Sequence, residues 1–210
     1  MTKTKITRAD IISTLLTLCS VLPGIFTYSQ LPDRIATHFD LNNQPDKWSS
    51  KAFAIFAIPL IMAVLHLTAC LMMYSDDRLK NSEKSVNVCR SLIPAVSFTV
   101  ETLLILYALG KFSNILLLAL CLLSIIMIVI GNYLPKTRQN NIFGIRTPAT
   151  LADETTWNRV HRFAGFAWTA GGIITLILNF TAGQTAALIA FAAVTAVIIV
   201  YSFIPAGKNQ

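Results

Sequence analysis

The side chains best suited to bind a charged partner gather in one polar segment, Gly131 to Gly165. It holds five of the seventeen Lys and Arg residues of the chain. Asn, Gly and Pro residues around Arg146 predict an irregular, tightly turned loop. A guanidinium held in such a turn can form two parallel hydrogen bonds to a phosphate or carboxylate. We therefore predict that Arg146 binds an anionic group, whereas contact with lipid headgroups accounts for Lys136, Arg138 and Arg162.

Glu101 is a second candidate, because it is the one acidic residue well inside a long apolar stretch. A charged side chain at the centre of a membrane helix costs roughly 2.5 to 3.5 kcal/mol on insertion scales. One interpretation is a proton or cation site, with His66 as its partner. The other is a protonated glutamic acid hydrogen-bonded within a helix bundle, and His66 alone is typical of a packed, neutral histidine.

Metal binding and catalysis have little support in the sequence. His38, His66 and His161 fall in three separate segments, and only His38 has nearby carboxylates, Asp40 and Asp46. One histidine with two carboxylates is an incomplete ligand set. The chain has no HExxH motif, no GxSxG motif and no glycine-rich phosphate loop. We predict that the protein is not an enzyme and has no metal and no cofactor.

The elements that carry these residues are apolar helices. Apolar residues make up 54% of the chain, charged residues 13%, and the mean hydropathy is +0.62. A helix that crosses a bilayer needs about 20 mostly apolar residues. Six stretches meet this requirement, and we read the first as a retained span and not a cleaved signal peptide: 10–28, 52–74, 91–109, 112–134, 163–180 and 184–204.

The distribution of positive charge predicts how this all-α, six-helix membrane protein is oriented. With both termini in the cytoplasm, 13 Lys and Arg residues lie inside and 4 lie outside. This bias follows the positive-inside rule and places segment 31–51 outside, as a polar loop, and segment 131–165 inside. Basic inner loops facing anionic lipids explain the net charge of +7 without direct nucleic-acid binding. We divide the chain into an N-terminal part, 1–90, and a C-terminal part, 91–210.

Short connections and small residues predict how some helices pack. Connections 110–111 and 181–183 are short enough to make antiparallel helix pairs. Glycines 165, 171 and 172, facing the alanines of the last span, predict a closely packed final pair. Thr150 and Asp153 resemble a capping box. Trp157, His161, Ala164 and Trp168 share one helix face, which we expect at the membrane interface.

The two polar segments together resemble the SdpI family of bacterial membrane proteins. In segment 131–165 the resemblance rests on Asn132, Pro135, Asn140, Phe143, Gly144, Ile145, Arg146, Thr147, Pro148, Trp157, His161 and Arg162. Segment 31–51 is similar to the DUF1648 motif that accompanies this family, through His38, Phe39, Asp46, Trp48 and Lys51. The chain departs from the usual pattern at Ala36, Asn43, Ala149 and Val160.

The resemblance implies a bacterial cell-membrane protein that confers immunity against a secreted peptide toxin. In some systems it also implies recruitment of a transcriptional repressor to the membrane. A peptide toxin would arrive at the external segment, and a repressor at the cytoplasmic one. Two alternatives stay open: a transporter or flippase for an amphipathic peptide or lipid that uses Glu101, and a membrane enzyme acting on lipid phosphates with His161 as acid or base.

Overall fold

A computed structural model describes residues 6–76 and 83–205 of the chain. Within them are six helical segments long and apolar enough to cross a membrane, which confirms the predicted six-span helical architecture. Both chain ends, whose cytoplasmic location we predict, and charges such as Arg78 and Lys80 that enter the charge count lie outside the described residues.

Eight α-helices and two strands make up the described chain. The helices are α1 (Arg8–Leu18), α2 (Leu22–Thr27), α3 (Ile58–Ser75), α4 (Glu83–Ala108), α5 (Ile115–Tyr133), α6 (Pro148–Ala152), α7 (Glu154–Thr181) and α8 (Gln184–Ser202). The strands are β1 (Arg34–Phe39) and β2 (Pro45–Ser50). A 3-10 turn, Cys19–Val21, joins α1 to α2, and a π-helical turn, Phe53–Ala57, precedes α3.

The chain divides into two compact units. The first comprises Met1–Leu71 with Asn87–Ala119, and the second comprises Met72–Val86 with Leu120–Gln210. Segment 31–51 and Glu101 therefore belong to the first unit, and segment 131–165 to the second.

In the first unit, segment 31–51 forms an antiparallel β-hairpin. Ile35 pairs with Ser49 and Ala36 with Trp48, with irregular pairing beyond Ala36. Ile35 and Ala36 are buried, and Ile35 packs with Ile55 of the π-helical turn and Ile105 of α4. The sequence predicted this segment as a polar loop, and its buried side chains turn it into a fixed hairpin.

In the second unit, glycines allow α5 and α7 to cross at close range. A Cβ atom added to Gly131 would lie 2.9 Å from the Gly165 carbonyl oxygen, and one added to Gly165 would lie 2.7 Å from that of Gly131. Gly172 faces Ile128 and Met127 of α5 in the same way. The prediction that glycines pack α7 against α8 holds for Gly171, which contacts Val194, but Gly165 and Gly172 pack against α5.

Candidate functional site

The loop between α5 and α6 is organised around the side chain of Asn140, which is 1% exposed. Its amide nitrogen donates to the carbonyl oxygens of Arg138 and Phe143, at 2.8 and 2.9 Å. Its amide oxygen accepts from the backbone N–H groups of Ile142 and Phe143, at 2.8 and 2.6 Å. One side chain thus satisfies four backbone groups of a loop that has no regular secondary structure.

Gly144 brings this loop directly onto two stacked rings of α7. The Trp157 and His161 rings lie with centroids 3.8 Å apart and planes 18° apart. Gly144 has a φ of +115°, and an added Cβ would lie 2.4 Å from His161 Nε2. Backbone conformation and close approach both require glycine at this position.

Hydrogen bonds fix both rings in place. Trp157 Nε1 donates to the Thr137 carbonyl oxygen at 2.7 Å. His161 Nδ1 donates to the Trp157 carbonyl oxygen at 2.9 Å, and His161 Nε2 accepts from the backbone N–H of Ile145 at 3.0 Å. This arrangement requires the neutral imidazole with its proton on Nδ1.

Two expectations about α7 are wrong as a result. Trp157 and His161 are 0% and 1% exposed, so this part of the aromatic face packs under the loop and does not meet the membrane interface. Both nitrogens of His161 are engaged by the backbone, which leaves no nitrogen free to act as an acid or base. The lipid-phosphate enzyme therefore loses the residue on which its chemistry depended.

Helix caps hold the remainder of the segment. Thr147 caps α6 in a capping box with Thr150, and Pro148 occupies the first turn. The Thr147 hydroxyl also donates to the Ser202 carbonyl oxygen of α8, at 2.7 Å. The predicted capping box of Thr150 with Asp153 is wrong, because the helix is interrupted at Asp153. The backbone is extended there, and Asp153 itself caps α7.

Asp153 illustrates how the start of α7 is stabilised. Its carboxylate accepts from the Thr156 hydroxyl and the Thr156 backbone N–H, both at 2.7 Å. These hydrogen bonds to the charged form lower the pKa of Asp153 below its ordinary value.

The other predicted residues of this segment lie on its surface. Arg146 is exposed, and its guanidinium donates to the Asn141 carbonyl oxygen of its own loop. Arg162 and Pro148 are exposed, and Phe143 is half-buried. Asn132 is also exposed and donates to the Ile128 carbonyl oxygen within α5, away from the Asn140 network.

In the hairpin, His38 pairs with Asp46 and not with Asp40. His38 Nδ1 lies 2.5 Å from Asp46 Oδ1, and this hydrogen bond lowers the pKa of the Asp46 carboxyl. Asp40 accepts instead from the backbone N–H groups of Asn42 and Gln44 in the turn. Of the residues placed by the structure, no three His, Cys, Asp or Glu side chains are arranged to hold a metal ion.

The hairpin is fixed at both ends. At its tip, Asn43 adopts a φ of +60° and donates to the Ser113 carbonyl oxygen at 2.7 Å. Asn43 Oδ1 also accepts from the Leu116 N–H at the start of α5.

At the base of the hairpin, Lys51 pairs with Asp33 at 3.0 Å and lies over the Tyr28 ring. Phe39 packs edge-on against Tyr107 of α4, with ring centroids 4.7 Å apart, whereas Trp48 is 46% exposed.

Glu101 is 1% exposed, and neither of its carboxyl oxygens has a hydrogen-bond partner among the described residues. The predicted partnership with His66 is not formed. His66 is buried, with Nδ1 2.9 Å from the Thr14 hydroxyl. The other interpretation, in which Glu101 is a protonated acid hydrogen-bonded within the helix bundle, also finds no hydrogen-bond partner among the described residues.

Thr137 and Asn43 were not predicted from the sequence as residues that hold these two segments in place. Thr137 acts through its backbone carbonyl, which any residue type provides, so no sequence signal marks it. Asn43 carried a signal, because asparagine is among the residues that best tolerate a positive φ, where the related motif has glycine.

Comparisons with known proteins agree with these features. Residues 136–204 match the SdpI/YfhL protein family, and residues 15–63 match DUF1648, a domain of unknown function. The chain is 32% identical over 182 residues to the protein named Immunity protein SdpI of Bacillus subtilis (strain 168), covering 87% of this chain and 86% of that protein. No solved structure matches it. The chain therefore belongs to the SdpI/YfhL family of proteins and carries the DUF1648 domain at its N-terminal side.

Proposed function

We propose that the protein protects a bacterium against a secreted antimicrobial peptide, with the hairpin contacting the peptide. The 32% sequence identity to the protein named Immunity protein SdpI supports this assignment. The observation that carries it is the hairpin itself, which combines a buried anchor with an exposed apolar and polar surface.

That surface fits an amphipathic peptide. Leu41 and Trp48 are 72% and 46% exposed, and the side chains of the His38 and Asp46 pair are 56% and 44% exposed. Tryptophan is enriched at the centres of protein interfaces, because it buries a large area and retains an N–H donor. The buried side chains beneath hold this surface in one conformation, which lowers the entropic cost of binding.

A protection assay tests the role of the hairpin. Cells lacking their own immunity gene would carry the wild type or a variant and would be exposed to the peptide resisted by the Bacillus subtilis relative. Trp48→Ala should reduce survival. Phe180→Ala is the matched control, since Phe180 is an aromatic residue 66% exposed outside the hairpin. Equal survival of the Trp48→Ala variant and the wild type at equal membrane abundance would refute the role of the hairpin.

We further propose that segment 131–165 recruits a repressor protein on the cytoplasmic side of the membrane. Arg146 is exposed on a loop whose conformation is fixed by Asn140 and Gly144. Arg146→Ala should reduce the membrane-bound fraction of a fluorescently labelled repressor protein that the wild type brings to the membrane. Arg138→Ala, which removes an exposed arginine from the same loop, is the control. If both variants recruit the repressor as well as the wild type, Arg146 has no such role.

The two sides of the membrane can be assigned independently. Asn42 and Arg138 are exposed in the hairpin and in segment 131–165 respectively. In a chain whose four native cysteines are replaced by serine, a membrane-impermeant thiol reagent should label Asn42→Cys on intact cells and Arg138→Cys only after permeabilisation. The reverse pattern would place the hairpin in the cytoplasm and exclude direct contact with an external toxin.

Transport of an amphipathic peptide or lipid is the second candidate function, and Glu101 favours it. A buried carboxyl without a hydrogen-bond partner in the described protein is a position where a proton or a cationic group can bind. Polar side chains also recur at helical spacing along α1 and the 3-10 turn that follows it, and Asp10, Ser13, Thr17 and Ser20 are all buried. Ser20 is hydrogen-bonded to Ser97, one helical turn before Glu101 on α4.

Glu101→Gln separates transport from immunity by binding. The substitution retains the shape of the side chain and removes its ionisable proton. In liposomes containing the purified protein, it should abolish any peptide movement driven by a pH gradient while leaving peptide binding by the hairpin unchanged. Full transport by this variant would exclude Glu101 as the proton site.

A further inference from the structure

An open groove of about 590 Å³ follows the first half of α7 and is also lined by Tyr201 of α8. The α7 residues that line it are Thr155, Asn158, Arg159, Arg162, Phe163 and Phe166. They recur three or four positions apart, or lie adjacent, and so occupy one face of the helix.

The groove changes character along the helix. Its first part is polar and cationic, and its last part is aromatic, ending at Phe166, which is 76% exposed. At 1.5 Å per residue, Arg159 and Phe166 are separated by about 10 Å along the axis. This order, cations followed by aromatic rings that end at the exposed Phe166 in the apolar part of the span, matches the headgroup and acyl chain of a lipid.

Contacts within the protein hold Arg159 in position. Its guanidinium donates to the Ile204 carbonyl oxygen and lies 5.0 Å from the centre of the Tyr201 ring. Tyr201 in turn packs against Phe163, with ring centroids 4.4 Å apart. Arg159 Nε is buried and has no acceptor in the described part of the chain.

The two arginines lack a paired counter-ion within the described structure. No described carboxylate lies within ion-pairing distance of Arg159 or Arg162. The Asp153 carboxylate, whose Oδ2 accepts both hydrogen bonds from Thr156, interacts with Arg159 electrostatically but forms no direct ion pair with it. Two adjacent guanidinium groups, which no ion pair within the described protein neutralises, therefore line the groove and can bind an external anion.

We propose that this groove binds an anionic phospholipid, whose phosphate contacts Arg159 and Arg162 and whose acyl chain lies along Phe163 and Phe166. Free phosphate would use the arginines but gain nothing from the aromatic end. The charge count predicts that this end of α7 faces the cytoplasmic leaflet, where anionic lipids attract basic residues.

Lipid binding to the full-length protein purified in detergent tests the proposal. Native mass spectrometry would count bound phosphatidylglycerol and phosphatidylcholine over a titration. We expect preferential binding of phosphatidylglycerol, weakened about tenfold or more in the Arg159→Gln/Arg162→Gln variant, as expected for loss of charge-assisted hydrogen bonds of about 1.5–3 kcal/mol. Arg138→Gln removes the same charge from an exposed site outside the groove and should change binding less than about twofold.

Further measurements distinguish the sources of the anion. Phe166→Ala should weaken phosphatidylglycerol binding and leave any binding of inorganic phosphate unchanged. Equal binding of phosphatidylcholine, full displacement of the lipid by inorganic phosphate, or equal loss in Arg138→Gln would overturn the proposal. If the double variant does not fold, Arg162→Gln alone provides the test, since Arg162 is exposed and its replacement should leave the fold intact.

Discussion

Replacing Gly144 with alanine tests whether the loop is held by its contact with the stacked rings of α7. The added methyl group would meet His161 Nε2 at 2.4 Å and the Trp157 ring at 3.1 Å. It would displace the imidazole or lift the loop, and either movement breaks the hydrogen bond from the Ile145 N–H to His161.

The magnitude follows from three terms. A non-glycine residue in a sparsely populated backbone region costs about 1–3 kcal/mol. Loss of the hydrogen bond adds about 1 kcal/mol, and forcing a methyl group into a packed site adds about 1–3 kcal/mol. The last two terms, about 2–4 kcal/mol together, belong to Gly144 alone.

Two other glycines isolate those terms experimentally. Gly110 and Gly183 have φ values of +66° and +90°, and an added Cβ atom would contact nothing within 4 Å at either position. Alanine there carries the backbone cost without the clash. Thermal unfolding in detergent should show Gly144→Ala lower in Tm than either control by about 4–16 °C, at about 2–4 °C per kcal/mol. If the Gly144→Ala variant had the same Tm as the Gly183→Ala variant, the contact of Gly144 with the stacked rings would not hold the loop in place.

Three further predictions concern the same two polar segments. Asn140→Ala leaves four backbone groups without their partner and should lower the free energy of unfolding by about 2–4 kcal/mol, against less than about 0.5 kcal/mol for the exposed Asn132→Ala, both measured by chemical denaturation. Thr147→Val removes a helix cap and should cost about 0.5–2 kcal/mol by the same measurement. The lowered pKa of Asp46 means that its charged form stabilises the hairpin above the ordinary Asp pKa of about 3.9, and that this contribution is lost as the pH falls through the lowered value. Pepsin cleavage of the hairpin, divided at each pH by the cleavage of an unfolded reference peptide, should therefore increase as the pH falls through that range. Asp46→Asn should remove this dependence, whereas an unchanged normalised profile in Asp46→Asn would contradict it.

The helical spans could be predicted because a long apolar stretch leaves the backbone one way to satisfy its hydrogen bonds in lipid. The hairpin of segment 31–51 was harder to predict from the sequence, because only three of its apolar residues are buried: Leu31, Ile35 and Ala36. A strand that buries two neighbouring residues before an irregular pairing does not show strict alternation, so the pattern indicated a loop.

The site was predictable in its residues and not in their roles. Asn140, Gly144, Trp157 and His161 stood out by type and spacing, yet whether each faces a ligand or a neighbouring backbone depends on a contact between segments distant in sequence. His161 meets Ile145 across 16 residues. Arg146 was expected to reach an external anion from within a tight turn, and its guanidinium bonds the Asn141 carbonyl oxygen of the same turn.

The buried and exposed members of segment 131–165 must therefore be interpreted differently in any functional assay. Trp157 is 0% exposed and bound to the Thr137 carbonyl oxygen, so Trp157→Ala removes a buried aromatic side chain at a cost of about 3–5 kcal/mol. Loss of protection in that variant would follow from loss of the folded loop. Arg146 is exposed, and its replacement removes one hydrogen bond to the Asn141 carbonyl oxygen but none of the hydrogen bonds of Asn140, Trp157 or His161. Because only the second change separates structure from recognition, Arg146 is the residue whose substitution decides whether this surface binds a partner.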